Sequence, residues 1–291
     1  MSGFLTVLST GPLALVEDLG RSGLASLGVG RSGAFDRTAH RLANRLVGNP
    51  EDAAALELLL GGARFTVDGP GWIAVTGAWG PVTANGRPVE PHTATPVQAG
   101  DVLEFGSAAS GLRYTLAVRG GIAVEQVLGS RSRDTLAALG PAPLVPGDRL
   151  PIGPNPRHAV PAVDVVPIEP PPGGDVVLSV SPGPRHDWFE SEAIGLLHRS
   201  RWIVSSRSDR TGVRLEGPAL ARSRTGELPS EGMVPGAIQV SPDGAPTILA
   251  VDAPVTGGYP VIAVVLPRSV DRLAQVRPGQ GILLRASALR H

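Results

Sequence analysis

Hydrophobic and polar residues follow two rhythms along this chain. Phe35, Ala39, Leu42, Ala43, Leu46 and Val47 recur at three- and four-residue intervals, while Arg37, His40, Arg41, Asn44 and Arg45 take the other face, which predicts one amphipathic helix. Asp36 stands where an N-cap belongs, and Gly48 followed by Asn49-Pro50 stops the helix. Asn49 then reads as the cap of a second, shorter helix, with Pro50 at its first position and Glu51 and Asp52 in its first turn. Beyond that point the rhythm shortens. Brief apolar runs bounded by glycine and proline predict strands over 56–60, 63–67, 72–76, 82–84, 101–105 and 113–118. The second half repeats the style, with strands over 176–180, 236–240, 247–251, 260–266 and 281–285 and short helices over 187–197 and 269–276.

Between the halves lies a proline-rich stretch that opens with Gly153-Pro154-Asn155-Pro156 and closes with Pro170-Pro171-Pro172-Gly173-Gly174. Proline removes backbone donors and fixes φ, so the stretch reads as a semi-rigid connector. The chain therefore divides into an N-terminal β-rich domain with two helices (1–152), a connector (153–174) and a C-terminal domain (175–291). Thirty-eight glycines and 29 prolines in 291 residues are too many turn formers for a mainly helical protein, so the fold class is mainly β with a few helices, drawn as two β-barrel domains. Three tight turns before strands, Ala99-Gly100-Asp101, Pro146-Gly147-Asp148 and Pro278-Gly279-Gln280, suit barrel corners.

Charge and composition narrow the chemistry. The chain carries 26 basic and 26 acidic side chains, and every basic one is Arg; it has no Lys and no Cys. That excludes a Lys Schiff base, a Walker-type phosphate Lys, a Cys nucleophile, a thiolate zinc site and any disulfide. With zero net charge, no basic stripe and 4% aromatic residues, nucleic-acid binding is not expected. No signal-peptide pattern and no 18-residue apolar run occur, so a cytoplasmic protein without a membrane span is expected.

Candidate chemistry collects at two places. Gly28-Val29-Gly30-Arg31-Ser32-Gly33 is a literal G-x-G-x-x-G ahead of a helix, with Asp52 about twenty residues on, as in a dinucleotide site. Asp52, however, falls at a predicted helix start rather than a strand end and no second βαβ unit follows, so the run reads as a glycine-rich turn. A narrower reading keeps the backbone N–H groups of Ser32 and Gly33 as an anion nest. No G-x-S-x-G elbow and no metal-ligand spacing of His, Asp and Glu appears, so no metal site is assigned. The second place is 207–260. If Arg210 and Arg214 share a strand at i and i+4, they face one way and can clamp a carboxylate or phosphate; pairing with Glu216 or Glu231 is the structural alternative. Asp252 ends a strand before Thr256-Gly257-Gly258-Tyr259-Pro260, whose two glycines imply a sharp turn or a close backbone approach.

These segments resemble a known family. The residues that carry the likeness are Val16-Glu17-Asp18-Leu19-Gly20-Arg21, Ser32-Gly33-Ala34-Phe35-Asp36, Ala43-Asn44-Arg45-Leu46-Val47-Gly48-Asn49, Val118-Arg119-Gly120-Gly121-Ile122 and Leu128-Gly129-Ser130-Arg131-Ser132. In the second half they are Pro182-Gly183-Pro184, Arg214-Leu215-Glu216-Gly217, Ser230-Glu231-Gly232, Gly236-Ala237-Ile238-Gln239-Val240 and Thr256-Gly257-Gly258-Tyr259-Pro260. The chain is similar to the family called allophanate hydrolase subunit 2, urea amidolyase-related protein, biotin-dependent carboxyltransferase-like protein or the C-type subunit of 5-oxoprolinase. The resemblance implies cyclophilin-like β-barrels and work in a multi-subunit ATP-dependent hydrolase. Its expected partners are a homologous B-type subunit of the kinase-inhibitor-like family and a third subunit, and its implied reaction is cleavage of 5-oxoproline to glutamate with ATP and Mg²⁺. Two other readings stand beside it: a non-catalytic binding or regulatory subunit, and a urea- or allophanate-related carboxyltransferase or hydrolase component.

On that basis Asp36, Arg210, Arg214, Glu231 and Asp252 are the candidate catalytic residues. Ser32, Gly33, Gln239, Thr256, Gly257, Gly258 and Tyr259 are candidates for anion or substrate binding. Alanine at Arg214 or Asp252 is expected to abolish turnover and leave the fold intact. Asp209, Thr211 and Pro254-Val255 depart from the family pattern, where Asn, Met and a Gln-Thr pair are expected, which puts the substrate in question.

Overall fold

A computed structural model describes residues 3–162, 167–224 and 226–287. Among these residues the fold is mostly β with three α-helices. Two compact units are formed, the first from Met1–Arg21, Ser32–Asp134 and Ala138–Pro171 and the second from Ser22–Arg31, Thr135–Ala137 and Pro172–His291. The short excursions 22–31 and 135–137 belong to the second unit although they interrupt the first in sequence.

The first unit is built on two sheets. One runs in the order Arg149–Pro151, Phe4–Thr10, Ala63–Val67, Val102–Phe105, Val82–Ala84, Arg87–Pro88. The other runs Ala14–Glu17, Ala55–Leu59, Ser110–Val118, Gly71–Trp79, Ala94–Val97. Leu5, Val7, Phe65, Leu103 and Phe105 of the first sheet meet Leu56, Leu58, Ile73, Val75, Tyr114 and Leu116 of the second in one continuous core. The helix α1 (Arg37–Leu46) covers the other face of the second sheet, placing Leu42, Ala43, Leu46 and Val47 on Ala55, Trp72, Ala74 and Ala117. Small residues there let the helix approach closely. Ser110–Val118 is thereby buried on both faces, which is why its sequence shows no clean apolar and polar alternation.

The predicted second helix does not form; Glu51 to Ala53 make only a turn, with Ala53 N bonding Pro50 O at 3.1 Å. Asn49 is not free to cap anything. Its Nδ2 donates to Asn44 Oδ1 at 3.0 Å and Val118 O at 2.8 Å, and its Oδ1 accepts from Gly120 N at 2.8 Å. The asparagine therefore ties α1 to the strand end at Val118. Nearby, Arg119 gives Nη1 to Val47 O at 2.6 Å and Nη2 to the carbonyls of Pro156 and His158. The start of the proline-rich stretch is thus fastened to the first unit, while Gln280 Nε2 of the second unit holds Pro172 O at 2.8 Å and Gly174 O at 2.6 Å.

The second unit is a closed barrel of seven strands. Val176–Pro182, Val261–Val265, Ala237–Val240, Pro246–Leu249, Gly212–Glu216, Arg201–Val204 and Gly281–Ala286 follow one another around it, and parallel pairing of Val176–Val180 with Ile282–Ala286 completes the ring. Closure removes sheet edges and requires inward and outward positions to alternate, as they do along Val176, Leu178 and Val180, all buried. The helices α2 (Ser191–Arg199) and α3 (Pro267–Leu273) pack outside. Residues 187 to 190, predicted helical, form a 3₁₀ turn over His186–Trp188 and an extended Glu190 before α2 starts. A separate two-stranded ribbon pairs Glu231–Gly232 with Thr256–Gly257. Among the described residues no helix is long and apolar enough to cross a membrane.

Candidate functional site

The three candidates in the first unit have structural duties. Asp36 Oδ1 accepts from Ala39 N at 2.8 Å, the bond of an N-cap. Phe35 N donates to Glu57 Oε2 at 3.0 Å, and Glu57 also pairs at 3.3 Å with Arg113, whose guanidinium lies 4.7 Å from the centre of the Phe35 ring. Ser32 is 0% exposed and its Oγ donates to Arg133 O at 3.1 Å. Gly33 is also buried, and a Cβ there would stand 2.7 Å from Gly20 N. The expected anion nest at Ser32 and Gly33 is thus corrected: that backbone is sealed inside, and carboxylates of the chain itself already serve the helix start.

The Val16–Arg21 and Leu128–Ser132 segments meet at a carboxylate. Asp18 Oδ1 accepts from Gly20 N, Ser130 Oγ and Ser132 Oγ at 2.7, 2.6 and 2.6 Å, and Oδ2 accepts from Arg131 N at 2.6 Å. Burial pushes the Asp18 carboxyl up, but these four hydrogen bonds outweigh it and hold it below the ordinary carboxylate value. Arg21, buried alongside, gives Nη2 to Ser132 O at 2.5 Å. Two motifs that look like site signatures in the sequence are here a joint between loops.

In the barrel unit Arg210 and Arg214 do not form a clamp, because the strand that carries Arg214 starts only at Gly212. Arg210 lies before it and is buried, with Nε 2.8 Å from Asp252 Oδ2 and Nη2 3.1 Å from Oδ1. Thr135 donates to the same Asp252 Oδ2 from its backbone N at 3.0 Å and its Oγ1 at 2.7 Å. Arg214 is exposed and bonds Arg207 O through Nε at 3.3 Å. The expectation that alanine at Asp252 leaves the fold intact is corrected with it: this side chain neutralises a buried guanidinium and anchors Thr135.

The remaining candidates do converge. Gly183 lies so close to the strand Val261–Val265 that a Cβ would collide with Val261 O, and Gly183 N and Arg185 N bond Ile262 O at 2.9 Å and Val261 O at 3.1 Å. That pinned turn delivers the Arg185 guanidinium to Glu231 Oε1, which receives both Nε, at 2.8 Å, and Nη2. The bond from Arg185 holds the Glu231 carboxyl below its ordinary value and raises the guanidinium in return. Gly257 pairs with Glu231 across the ribbon, and a Cβ on it would come within 2.5 Å of Gln239 Nε2. Gln239 is 9% exposed and sends Nε2 to Tyr259 O and Met233 Sδ, both at 3.3 Å. Val261, whose carbonyl takes Arg185 N, is the register partner of Gln239. Arg185, Glu231 and Gln239, with Thr256, Gly257, Gly258 and Tyr259 of the ribbon and the turn after it, therefore gather in one polar patch, in which Arg185 and Glu231 are part-exposed and Gln239 is buried.

The family model of the carboxyltransferase domain, subdomains A and B, matches residues 27–286. The chain belongs to the carboxyltransferase domain family. It is 38% identical over 281 residues to the C subunit of 5-oxoprolinase from Escherichia coli, covering 96% of this chain and 89% of that protein. It is 34% identical over 288 residues to the protein of the same name from Haemophilus influenzae, covering 98% and 92%. The crystal structure of the K. lactis urea amidolyase superposes with a TM-score of 0.90 at 30% identity, covering 97% of this chain but 18% of that one. The chain thus spans most of its bacterial relatives and a small part of the longer amidolyase.

Within this carboxyltransferase domain the candidates read from the sequence split cleanly. Asp36, Ser32, Gly33, Arg210 and Asp252 serve the fold, Arg214 stands apart, and Glu231, Gln239 and Thr256 to Tyr259 come together. Arg185 escapes sequence reasoning although Pro182-Gly183-Pro184 immediately precedes it. A usable signal exists: prolines on both sides of a glycine at the end of a strand restrict the backbone that leads to the next residue. Among the described residues no group of three or more His, Asp or Glu is arranged to hold a metal ion.

Proposed function

We propose that this chain is the C subunit of a 5-oxoprolinase, acting with a homologous B-type subunit and a third subunit in ATP-dependent opening of 5-oxoproline to glutamate. The observation that carries this reading is identity of 38% across 96% of the chain and 89% of a protein of that name. The chemical demand is clear. A lactam carbonyl is a weak electrophile, and ring opening requires that electron density be drawn from its carbon onto its oxygen, that water be delivered to the carbon, and that the leaving nitrogen take a proton as the C–N bond breaks.

The residues nominated for phosphate do not fit a nucleotide. Arg210 is neutralised by Asp252, Ser32 is sealed inside, and Arg214 stands alone on the barrel exterior. On this reading ATP and Mg²⁺ are held by a partner subunit. Asp36 and Asp252, two of the three nominated carboxylates, are committed to the fold, so this chain's part is to recognise and orient substrate, while proton transfer falls to groups of another chain. That same occupancy favours, as a second reading, a purely binding subunit.

Both readings meet in one reconstitution. The chain is co-expressed with a B-type subunit and the third subunit, and glutamate is measured from 5-oxoproline, with urea and allophanate as alternative substrates. Glutamate formed only with ATP and only when this chain is present supports the proposal. Formation without this chain leaves it as a binding subunit, and turnover of urea or allophanate in place of 5-oxoproline overturns the substrate assignment.

A further inference from the structure

The loop joint of the first unit holds a cation that it does not neutralise. Arg21 is 2% exposed, and its side chain makes one hydrogen bond, from Nη2 to Ser132 O at 2.5 Å. Its Nε and Nη1 are shielded from solvent and have no hydrogen-bond partner among the described residues. No carboxylate of those residues, Asp18 and Glu17 included, comes within ion-pair distance of the guanidinium. An arginine carries five N–H donors, and here four are unspent. A buried charge with neither counter-ion nor acceptors is costly, so the surroundings of Arg21 call for an anionic acceptor that the chain itself does not supply.

The shape of the guanidinium says what fits. Nη2 carries two N–H groups, one parallel to Nε–H and the other beside an N–H of Nη1. Ser132 O takes one of them. Whichever it takes, the other stands next to an unspent neighbour, on Nε or on Nη1, so one complete two-donor edge is left. Such an edge meets both oxygens of a carboxylate at once, whereas a halide offers it a single centre. The edge is also held in place. Gly20 N and Ser132 Oγ donate to the same Asp18 Oδ1 at 2.7 and 2.6 Å, which fastens both the residue before Arg21 and the residue that receives its Nη2. Asp18 is kept from turning to Arg21 by its further bonds from Ser130 Oγ and Arg131 N. Enclosure sets the size: with Nε and Nη1 out of reach of solvent, the missing partner lies inside and is small.

We propose that Arg21 binds a small free carboxylate inside the loop joint of the first unit, with both carboxylate oxygens on the open edge of the guanidinium. The site uses none of the residues of the barrel-unit patch and does not rest on the 5-oxoprolinase reading.

The test uses the full chain at constant ionic strength, with chloride replaced stepwise by formate, benzoate or phosphate. Two readouts are followed, the ¹⁵N resonance of Arg21 Nε and the midpoint of urea unfolding. Formate is expected to shift the resonance saturably and to raise the midpoint as its concentration passes Kd. Its affinity is expected to exceed that of chloride by about tenfold or more, the scale of one further hydrogen bond to a charged group. Benzoate, too large to be enclosed, is expected to do neither, and phosphate, tetrahedral and bulkier, to bind more weakly than formate. Arg21→Lys keeps the charge and a donor for Ser132 O but has no two-donor edge, and is expected to weaken formate binding by about tenfold; if that variant does not fold, the resonance of the parent decides. A resonance and a midpoint that are the same in formate and in chloride show that internal water fills the edge, and refute the site. An equal response to benzoate, or an undiminished formate response in Arg21→Lys, refutes it as well, and tighter binding of phosphate than of formate overturns the carboxylate assignment. Neither readout involves turnover of 5-oxoproline, so the outcome is the same whether or not the complex cleaves it.

Discussion

His40 offers the sharpest test of how the first unit is held together. It lies on α1, is 1% exposed, and its Nε2 sits 3.1 Å from Asn44 Nδ2. Asn44 cannot turn over freely: its Oδ1 receives Asn49 Nδ2 at 3.0 Å, and its Nδ2 also reaches Ala53 O at 2.8 Å. The ring nitrogen must therefore accept, and a proton there would confront an N–H. Burial pushes the His40 imidazole down to about 4, against the upward pull of the Asp18 and Glu57 carboxylates. Above the unfolded value of about 6.5 the group is neutral in both states and has no pH effect. As the pH falls below 6.5 the unfolded chain takes up a proton that the native chain refuses until about 4, so stability is lost across that window. At about 1.36 kcal/mol per unit, the full loss is about 3 kcal/mol, most of it between pH 6.5 and 4.5. The assay is urea unfolding of the parent and of His40→Gln at half-unit pH intervals, with the His40 ring followed by NMR in the parent. His92 and the carboxylates that do not act on His40 contribute equally to both proteins; Asp18 and Glu57, whose charges favour the His40 imidazolium, do not, so the NMR titration of the His40 ring is read beside the difference in slope. Equal slopes in the two proteins, or a His40 ring that titrates near 6.5 in the native state, would refute the reasoning.

Two further outcomes follow from the placements above. Asp252→Ala strands the Arg210 guanidinium and the Thr135 N–H, and is expected to cost about 3–5 kcal/mol in the barrel unit, while the paired replacement Arg210→Met with Asp252→Leu recovers much of it; chemical denaturation of the three proteins measures this, and an unchanged midpoint for Asp252→Ala rules the latch out. Asp36→Ala removes the α1 N-cap and is expected to cost about 1 kcal/mol, with Asp36→Ser restoring most of the loss in the same melts; a loss several times larger would give Asp36 a duty beyond the cap.

Much of the architecture was legible because local rules coincide with tertiary outcome. The 3.6-residue rhythm over Phe35 to Val47 places α1 and its cap, since the same apolar face that defines the helix is the one pressed on Ala55, Ala74 and Ala117. Glycine and proline punctuation places most strands, because turns need φ values and missing donors that other residues do not supply. The second helix failed for a reason no local rule contains: Asn49, an ideal cap in sequence, is claimed by Asn44, Val118 and Gly120, the last two about seventy residues away. The Arg210 and Arg214 clamp failed likewise, because the strand begins two residues later than the spacing required.

What the sequence determined by itself is therefore the class of fold, the absence of Lys and Cys chemistry, and the family, each of which depends on residue identity or on neighbours a few positions apart. What only the tertiary structure decided is which charged residues are spent on the fold and which remain open. Asp18, Asp252 and Glu231 are all carboxylates beside glycine- or serine-containing motifs. Four hydrogen bonds saturate the first and a buried guanidinium the second, while the third stays part-exposed beside a likewise part-exposed Arg185. Burial and partners set whether a charge is available, and both are properties of chain segments brought together from distant positions.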